Sequence, residues 1–321
     1  MKPLVWIIDE EWADYKVEHE ILEARYPGCV IRRSTYDYRS DLEEFGHRAD
    51  LLLCQIYADV PGEVVRRLDN CKGIAVYGGG YDRIDCAAAR KKGIGVTNVS
   101  DYCKEDLADY VMACVYHFNK RILSYGEAVK AGKWGAQAVE RSMHRISGST
   151  MLVIGFGRIG RRVAAKASAA GMRVIAYDPY VDASTMRDAD VVKVAWEEGL
   201  VQADYVSVNA ILNAETTGLL RYGDFRKMKS TAYLINSARG KIIVEGDLIR
   251  AVDEGLISGA AVDVIEVEPP MLTEAILRCK GIVVTPHISY ISEESFTELK
   301  RRTLGNAIEM LEGRIPPDLV N

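Results

Sequence analysis

The stretch "MLVIGFGRIGRRVAAKASAAGMRVIAYDP", residues 151–179, reads as strand, loop, helix and second strand. Four apolar residues run into Gly155, Gly157 and Gly160, which stand in G-x-G-x-x-G spacing. Ile159, Val163 and Ala167 then fall on one helical stripe that ends near Gly171. Each glycine has its own physical role. The first permits a tight turn, the second lets a pyrophosphate approach the backbone, and the third lets helix and strand close on each other. The N–H groups of Arg158, Ile159 and Gly160 open the helix and face an anion. Asp178, at the end of the second strand, can accept hydrogen bonds from ribose hydroxyls and repels an additional phosphate. The unit predicts a bound dinucleotide, NAD in preference to NADP.

Outward from this unit, short β-branched runs alternate with helical patterns. On the C-terminal side come "DYVSV" (204–208), "TAYLI" (231–235), "GAAVDV" (259–264) and "GIVVT" (281–285). On the N-terminal side come "LVWII" (4–8), "DLLLC" (50–54), "GIAV" (73–76) and "GVT" (95–97), with helical stretches at 14–28 and 61–70. Runs that are apolar without alternation suit strands buried on both faces of a parallel sheet, and Val283 and Val284 read as the end of one. Residues 106–132 read as one long helix connecting two domains, with Leu107, Val111, Cys114, Val115 and Phe118 on its apolar stripe. Residues 292–314 read as a terminal helix capped by Ser292. The expected fold is α/β, with two doubly wound parallel-sheet domains.

Composition narrows the classes. Of 321 residues 48% are hydrophobic and 27% charged, which suits about two globular domains of ~150 residues each. A net charge of −5 without a basic stripe argues against a nucleic-acid partner. The seven cysteines are widely spaced and form no CxxC, so neither a disulfide framework nor a metal site is expected, and a reducing compartment is favoured. "MKPLVWIIDEEW" is too short in apolar residues for a signal peptide or a span, giving a cytoplasmic expectation with no membrane partner.

In open α/β sheets ligands sit outside the carboxyl ends of the strands. There the sequence places Asn209, then "NSARG" (236–240) with Arg239, then Asp263 and Glu268 in "DVIEVEPP" (263–270), then His287 in "VVTPHISY" (283–290). The planar fork of Arg239 can pair with a carboxylate and polarise an adjacent carbonyl. His287 can give a proton to that carbonyl, and a neighbouring Glu268 favours its charged form. Asp263 can orient a nicotinamide carboxamide. The set suits hydride transfer between NAD(H) and a 2-keto or 2-hydroxy acid. The other histidines, at 19, 47, 117 and 144, have no partner motif and read as structural or surface residues.

Several of these segments match one family in order and spacing: "VIGFGRIG" (153–160), residues 235–270, "VTPHISY" (284–290) and residues 77–111. The chain resembles the D-isomer-specific 2-hydroxyacid dehydrogenases. The resemblance implies a Rossmann cofactor domain (102–289) inserted in a flavodoxin-like substrate domain (1–101 and 290–321). It implies Arg239, Glu268 and His287 as catalytic residues, and Ala238 and Asn209 beside the cofactor. It also implies that backbone N–H groups of Tyr77, Gly78, Gly79 and Gly80 hold the substrate carboxylate with Arg239. A homodimer is implied too, supported by the long helix and residues 133–150. "NVSDYCKEDLADY" (98–110) and "LEGRIPPDLVN" (311–321) are similar to the branch that includes the C-terminal-binding-protein co-repressors and their bacterial relatives. Eukaryotic members of that branch bind NADH but act as dimeric transcriptional scaffolds, so an NADH-responsive dimeric regulatory protein with little turnover is the alternative.

The chain also departs from the family pattern. Asn209 stands where most members have histidine, though formate dehydrogenases also have asparagine; formate oxidation needs no proton donor to a carbonyl, so the His287–Glu268 pair fits it poorly. Ile211 replaces a proline and Lys241 a glycine. Val76 and Gln55 stand where relatives carry arginine, which removes positive charge from the expected substrate site and predicts an unphosphorylated acid.

Overall fold

The computed structural model describes residues 2–139 and 143–321; residues 140–142, part of the segment expected at a dimer contact, lie outside them. The chain forms two compact units, Met1–Cys103 with Ser292–Asn321, and Lys104–Ile291.

The first unit holds a parallel sheet of β1 (Leu4–Ile8), β2 (Val30–Ser34), β3 (Leu51–Gln55), β4 (Gly73–Tyr77) and β5 (Gly95–Thr97). Their order is β2-β1-β3-β4-β5, the flavodoxin-like arrangement. Trp6, Ile8, Leu52, Cys54, Ile74 and Val76 alternate onto one buried face. The other face is covered by the helix Glu293–Leu311, whose Met310 lies so close to Gly73 that an added Cβ would stand 2.5 Å from its side chain. Ser292 caps that helix by accepting the Ser295 N–H at 3.0 Å. A buried ion pair, Lys300 Nζ to Glu18 Oε2 at 3.2 Å, ties it to the helix Lys16–Arg25, and the Tyr77 hydroxyl donates to Glu18 Oε1 at 3.2 Å. The chain end continues the sheet edge: Val320 N–H donates to the Val96 carbonyl, and the Asn321 side chain bonds Val96 N and Ile94 O.

The second unit holds β6 (Thr150–Ile154), β7 (Arg173–Tyr177), β8 (Val192–Lys193), β9 (Tyr205–Val208), β10 (Tyr233–Asn236), β11 (Gly259–Val262) and β12 (Ile282–Val284). All pairs are parallel, in the order β12-β11-β10-β9-β6-β7-β8. This is the doubly wound dinucleotide-binding order, reversing direction at β6, extended by one strand beyond β11. Leu152 and Ile154 enter one core, Met151 and Val153 the other, which is why β6 reads as an unbroken apolar run.

Three expectations need correction. Residues 106–132 are not one helix but two, Lys104–Lys120 and Ile122–Lys130, broken at Arg121. Arg121 adopts φ +48, and its guanidinium reaches the Tyr233 hydroxyl at 3.3 Å. Nor does the first of these helices run between the units. It belongs wholly to the second, where Ala108, Val111, Met112 and Val115 pack with Val163, Ala164 and Ala167. Finally, β12 is an edge strand, so Val283 is 36% exposed rather than buried.

Candidate active site

The glycine loop leaves β6 and enters the helix Arg158–Ala169. Gly155 has φ +87, and an added Cβ would lie 2.8 Å from Ala210 N. Gly160 allows closer contact still: a Cβ there would stand 2.0 Å from the Gly155 carbonyl oxygen. Around Gly157 there is no atom within 4 Å of a Cβ position, so the space above it is open. The tight turn at Gly155 and the close helix–strand approach at Gly160 are those the spacing predicts, while Gly157 leaves open space. The helix begins at Arg158, directly after the glycine loop, and the first turn of a helix is the kind of place where backbone N–H groups can meet an anion. Phe156 and Arg161, which carry no motif signal in the sequence, brace the turn. Phe156 is fully buried, and Arg161 lies over its ring and donates Nε to its carbonyl at 3.2 Å.

Asp178 follows β7 and accepts two backbone N–H groups, from Phe156 on Oδ2 at 2.8 Å and from Tyr180 on Oδ1 at 2.9 Å. Each oxygen keeps one further lone pair for a ligand hydroxyl. The same carboxylate therefore shapes the loop and keeps acceptor capacity toward hydroxyl groups. Asn209 follows β9. Its Nδ2 donates to the Ser207 carbonyl and hydroxyl at 3.1 and 3.0 Å, while its buried Oδ1 has no partner among the described residues. An orphaned buried acceptor at the rim of the glycine loop suits a ligand N–H or O–H.

The loop after β10 is shaped by Asn236, a further residue that motif spacing alone does not single out. Its Oδ1 accepts Ala238 N–H at 3.0 Å and its Nδ2 donates to the Arg239 carbonyl at 2.9 Å. Arg239 Nη1 donates to the Ala238 carbonyl at 2.9 Å. Next to it, Gly240 lies against the loop after β11 so closely that a Cβ would meet Ile265 O at 1.9 Å. Glycine is required here because a backbone occupies the side-chain position. The exchange at Lys241 needs no such accommodation, since Lys241 is exposed.

Glu268 and His287 are brought together from the loops after β11 and β12. His287 Nδ1 lies 3.0 Å from Glu268 Oε2, and Glu268 Oε1 accepts Ile265 N–H at 2.9 Å. Burial pushes the Glu268 carboxyl upward, but His287, the Ile265 N–H and the Arg239 charge outweigh it and hold the group below its ordinary range. His287 itself adopts φ +53, a left-handed conformation that a side-chain-bearing residue holds only when neighbours enforce it. Asp263, 1% exposed, does so. Its carbonyl accepts His287 N–H at 2.9 Å, Oδ1 accepts Ile288 N–H at 3.0 Å and Oδ2 accepts Ser289 N–H at 2.8 Å. The Thr285 hydroxyl also donates to Oδ1 at 2.6 Å.

The second-unit residues singled out in the sequence thus line the carboxyl ends of β6, β7, β9, β10, β11 and β12. Tyr77, Gly78, Gly79 and Gly80 belong to the first unit, where they follow β4. Gly78 has φ +147, and the loop is fixed by Val99 N–H on the Gly78 carbonyl at 2.8 Å and Asn98 Nδ2 on the Gly79 carbonyl at 2.7 Å. Gln55 and Val76 are both buried, Gln55 folding its Oε1 onto Ile56 N–H at 2.9 Å.

The family model described as D-isomer specific 2-hydroxyacid dehydrogenase, NAD binding domain, matches residues 112–289, more than half of the chain. The chain belongs to this family. The dehydrogenase is 33% identical over 274 residues to a glyoxylate reductase of Korarchaeum cryptofilum, covering 85% of this chain and 82% of that one. It is 30% identical over 299 residues to a hydroxypyruvate reductase of Blautia hydrogenotrophica, covering 91% and 92%. Among solved structures it is similar to a D-lactate dehydrogenase of Aquifex aeolicus complexed with NAD and lactic acid. That similarity has a TM-score of 0.88 and 26% identity, with 98% of each chain covered. The protein is therefore an enzyme, an NAD-dependent D-2-hydroxyacid dehydrogenase, and its glycine loop, Asp178 and Asn209 fit that cofactor.

Proposed function

We propose that this dehydrogenase interconverts a small, unphosphorylated D-2-hydroxy acid and its 2-keto acid, with His287 as the acid/base. The observation that carries the reading is the 3.0 Å contact of Glu268 with His287 Nδ1. It fixes the ring orientation and leaves Nε2 as the atom that exchanges a proton with the substrate oxygen. Arg239 pairs with the substrate carboxylate and polarises the neighbouring carbonyl. Asp263 and Ala238 contact the nicotinamide end of the cofactor, Arg158 and Ile159 its pyrophosphate. Asp178 takes the ribose hydroxyls and disfavours NADP. Bound NADH supplies the hydride, so the chain's own part is to orient, polarise and deliver a proton.

The names of the relatives, glyoxylate and hydroxypyruvate reductases, support a small keto acid. Gln55 and Val76 carry no charge to meet a phosphate. A homodimer is supported by the helix Ile122–Lys130, which buries no residue and exposes Ile122, Leu123 and Val129. A reducing, cytoplasmic setting is supported by seven cysteines that form no disulfide. Among the described residues no helix is long and apolar enough to cross a membrane. The likeness to the co-repressor branch rests on residues 98–110 and 311–321 alone, and the assembled His287–Glu268 pair favours turnover over a scaffold.

The test is NADH absorbance on mixing the enzyme separately with glyoxylate, hydroxypyruvate, pyruvate and larger 2-keto acids, with NADPH as control. Turnover of one of these with NADH is the expected result. Tight NADH binding without turnover of any would favour the NADH-responsive scaffold, and efficient turnover of 3-phosphoglycerate would overturn the unphosphorylated assignment.

A further inference from the structure

The Asp263 carboxylate is almost fully buried, yet its hydrogen bonds among the described residues all go to one short segment, residues 285–289. A buried carboxylate is costly unless donors surround it. Here those donors are the N–H groups of Ile288 and Ser289 and the Thr285 hydroxyl, while His287 N–H binds the carbonyl of the same aspartate. The turn that carries His287 is therefore folded around a single side chain.

Thr285 extends the set outward. Its Oγ1 lies 2.6 Å from Asp263 Oδ1 and 2.7 Å from the Tyr110 hydroxyl. A threonine hydroxyl has one proton, and an ionised carboxylate can only accept. Thr285 must donate to Asp263, so Tyr110 must donate to Thr285. The direction of the chain is fixed: Tyr110 to Thr285 to Asp263. Burial pushes the Tyr110 phenol well above its ordinary value, which keeps the donor proton in place. Tyr110 itself is anchored by the helix Lys104–Lys120, whose apolar stripe is locked into the core of the second unit.

We propose that Tyr110 and Thr285 are positioning residues for His287, orienting the Asp263 carboxylate and through it the left-handed turn that aims the imidazole. The proposal rests on the reading of His287 as the acid/base. Neither hydroxyl reaches substrate or cofactor in this scheme. Their effect is geometric, and a displacement on the order of 1 Å at a reacting group can cost about a hundredfold in rate.

The experiment compares Thr285→Val, Thr285→Ser, Tyr110→Phe and His287→Gln with the wild type. Each is assayed for glyoxylate and hydroxypyruvate reduction across pH, with NADH affinity from fluorescence titration. Thr285→Val is expected to lower kcat by about tenfold or more. Its NADH affinity should stay within about twofold of wild type, and its kcat–pH profile should be displaced. Thr285→Ser, which keeps the hydroxyl, restores both rate and profile. Tyr110→Phe, which leaves Thr285 its proton but removes its orienting donor, gives a smaller loss in the same sense. Wild-type kcat and pH profile in both Thr285→Val and Tyr110→Phe would overturn the proposal. So would a Thr285→Val defect confined to NADH affinity and cured by saturating NADH. Full turnover in His287→Gln would instead refute the acid/base reading beneath it.

Discussion

The His287 ring and the Glu268 carboxylate meet at 3.0 Å although they stand on separate loops, one after β12 and the other after β11. The contact depends on backbone as much as on side chain: His287 is held at φ +53 by Asp263, and Glu268 is held by Ile265 N–H. Replacing His287 by Gln keeps a polar side chain of similar reach but removes the titrating ring. The expected result is a fall in kcat of about 10²- to 10⁴-fold with NADH affinity nearly intact, measured by steady-state kinetics and fluorescence titration.

The same pair sets an acid limit on stability. The folded Glu268 carboxyl is held below the 4.5 of an unperturbed glutamate, by His287, the Ile265 N–H and Arg239 acting against burial. A group depressed in the folded state contributes stability that is fully present above its unfolded value and is lost as pH falls through the folded value. Glu268→Gln removes that contribution. The melting temperature of the variant should lie below wild type at neutral pH, and the gap should shrink as pH falls below about 4.5. A gap that stays constant through that window would show that Glu268 carries no such linkage.

How much of this was readable in the string depends on where each residue sits. The unit from β6 to β7 was legible because each of Gly155, Gly157 and Gly160 has a separate steric role that no other residue performs. Central strands were legible because burial on both faces leaves only apolar residues. The edge strands β2 and β8 were missed for the converse reason: "VIRRS" and "VK" need one partner strand each and remain polar and partly exposed. The break at Arg121 has no glycine or proline to announce it, and depends on a guanidinium reaching Tyr233, remote in sequence. Likewise Asn236 and Gly240 were visible only as letters of a motif. What they do, holding the Arg239 loop and admitting Ile265 O, rests on tertiary contacts.

Two glycines of the phosphate loop separate binding from folding. At Gly157 an added Cβ meets nothing within 4 Å, whereas at Gly160 it would lie 2.0 Å from Gly155 O. Gly157→Ala should therefore melt within a degree or two of wild type yet lose NADH affinity about tenfold or more, because its methyl occupies the pyrophosphate approach. Gly160→Ala should lose affinity and also about 1–3 kcal/mol of stability, since helix and strand must move apart. Thermal melts with NADH titrations distinguish the two, and equal melting temperatures would contradict the steric assignment.

Gly240 offers a similar separation on the catalytic side. Its missing Cβ lets the Arg239 loop rest on Ile265 O, the residue whose N–H also holds Glu268. A methyl at 1.9 Å from that oxygen cannot be accommodated by a side-chain rotation, because the obstacle is backbone. In Gly240→Ala the two loops must separate, which moves Arg239 away from the Glu268–His287 pair while leaving the glycine loop on β6 untouched. The expected signature is a rise in KM for the keto acid together with a fall in kcat, by about tenfold or more in kcat/KM. NADH affinity should change by less than about twofold. A variant that loses NADH binding first would place Gly240 in the cofactor site, and one with wild-type kinetics would mean that the contact with Ile265 does not position Arg239.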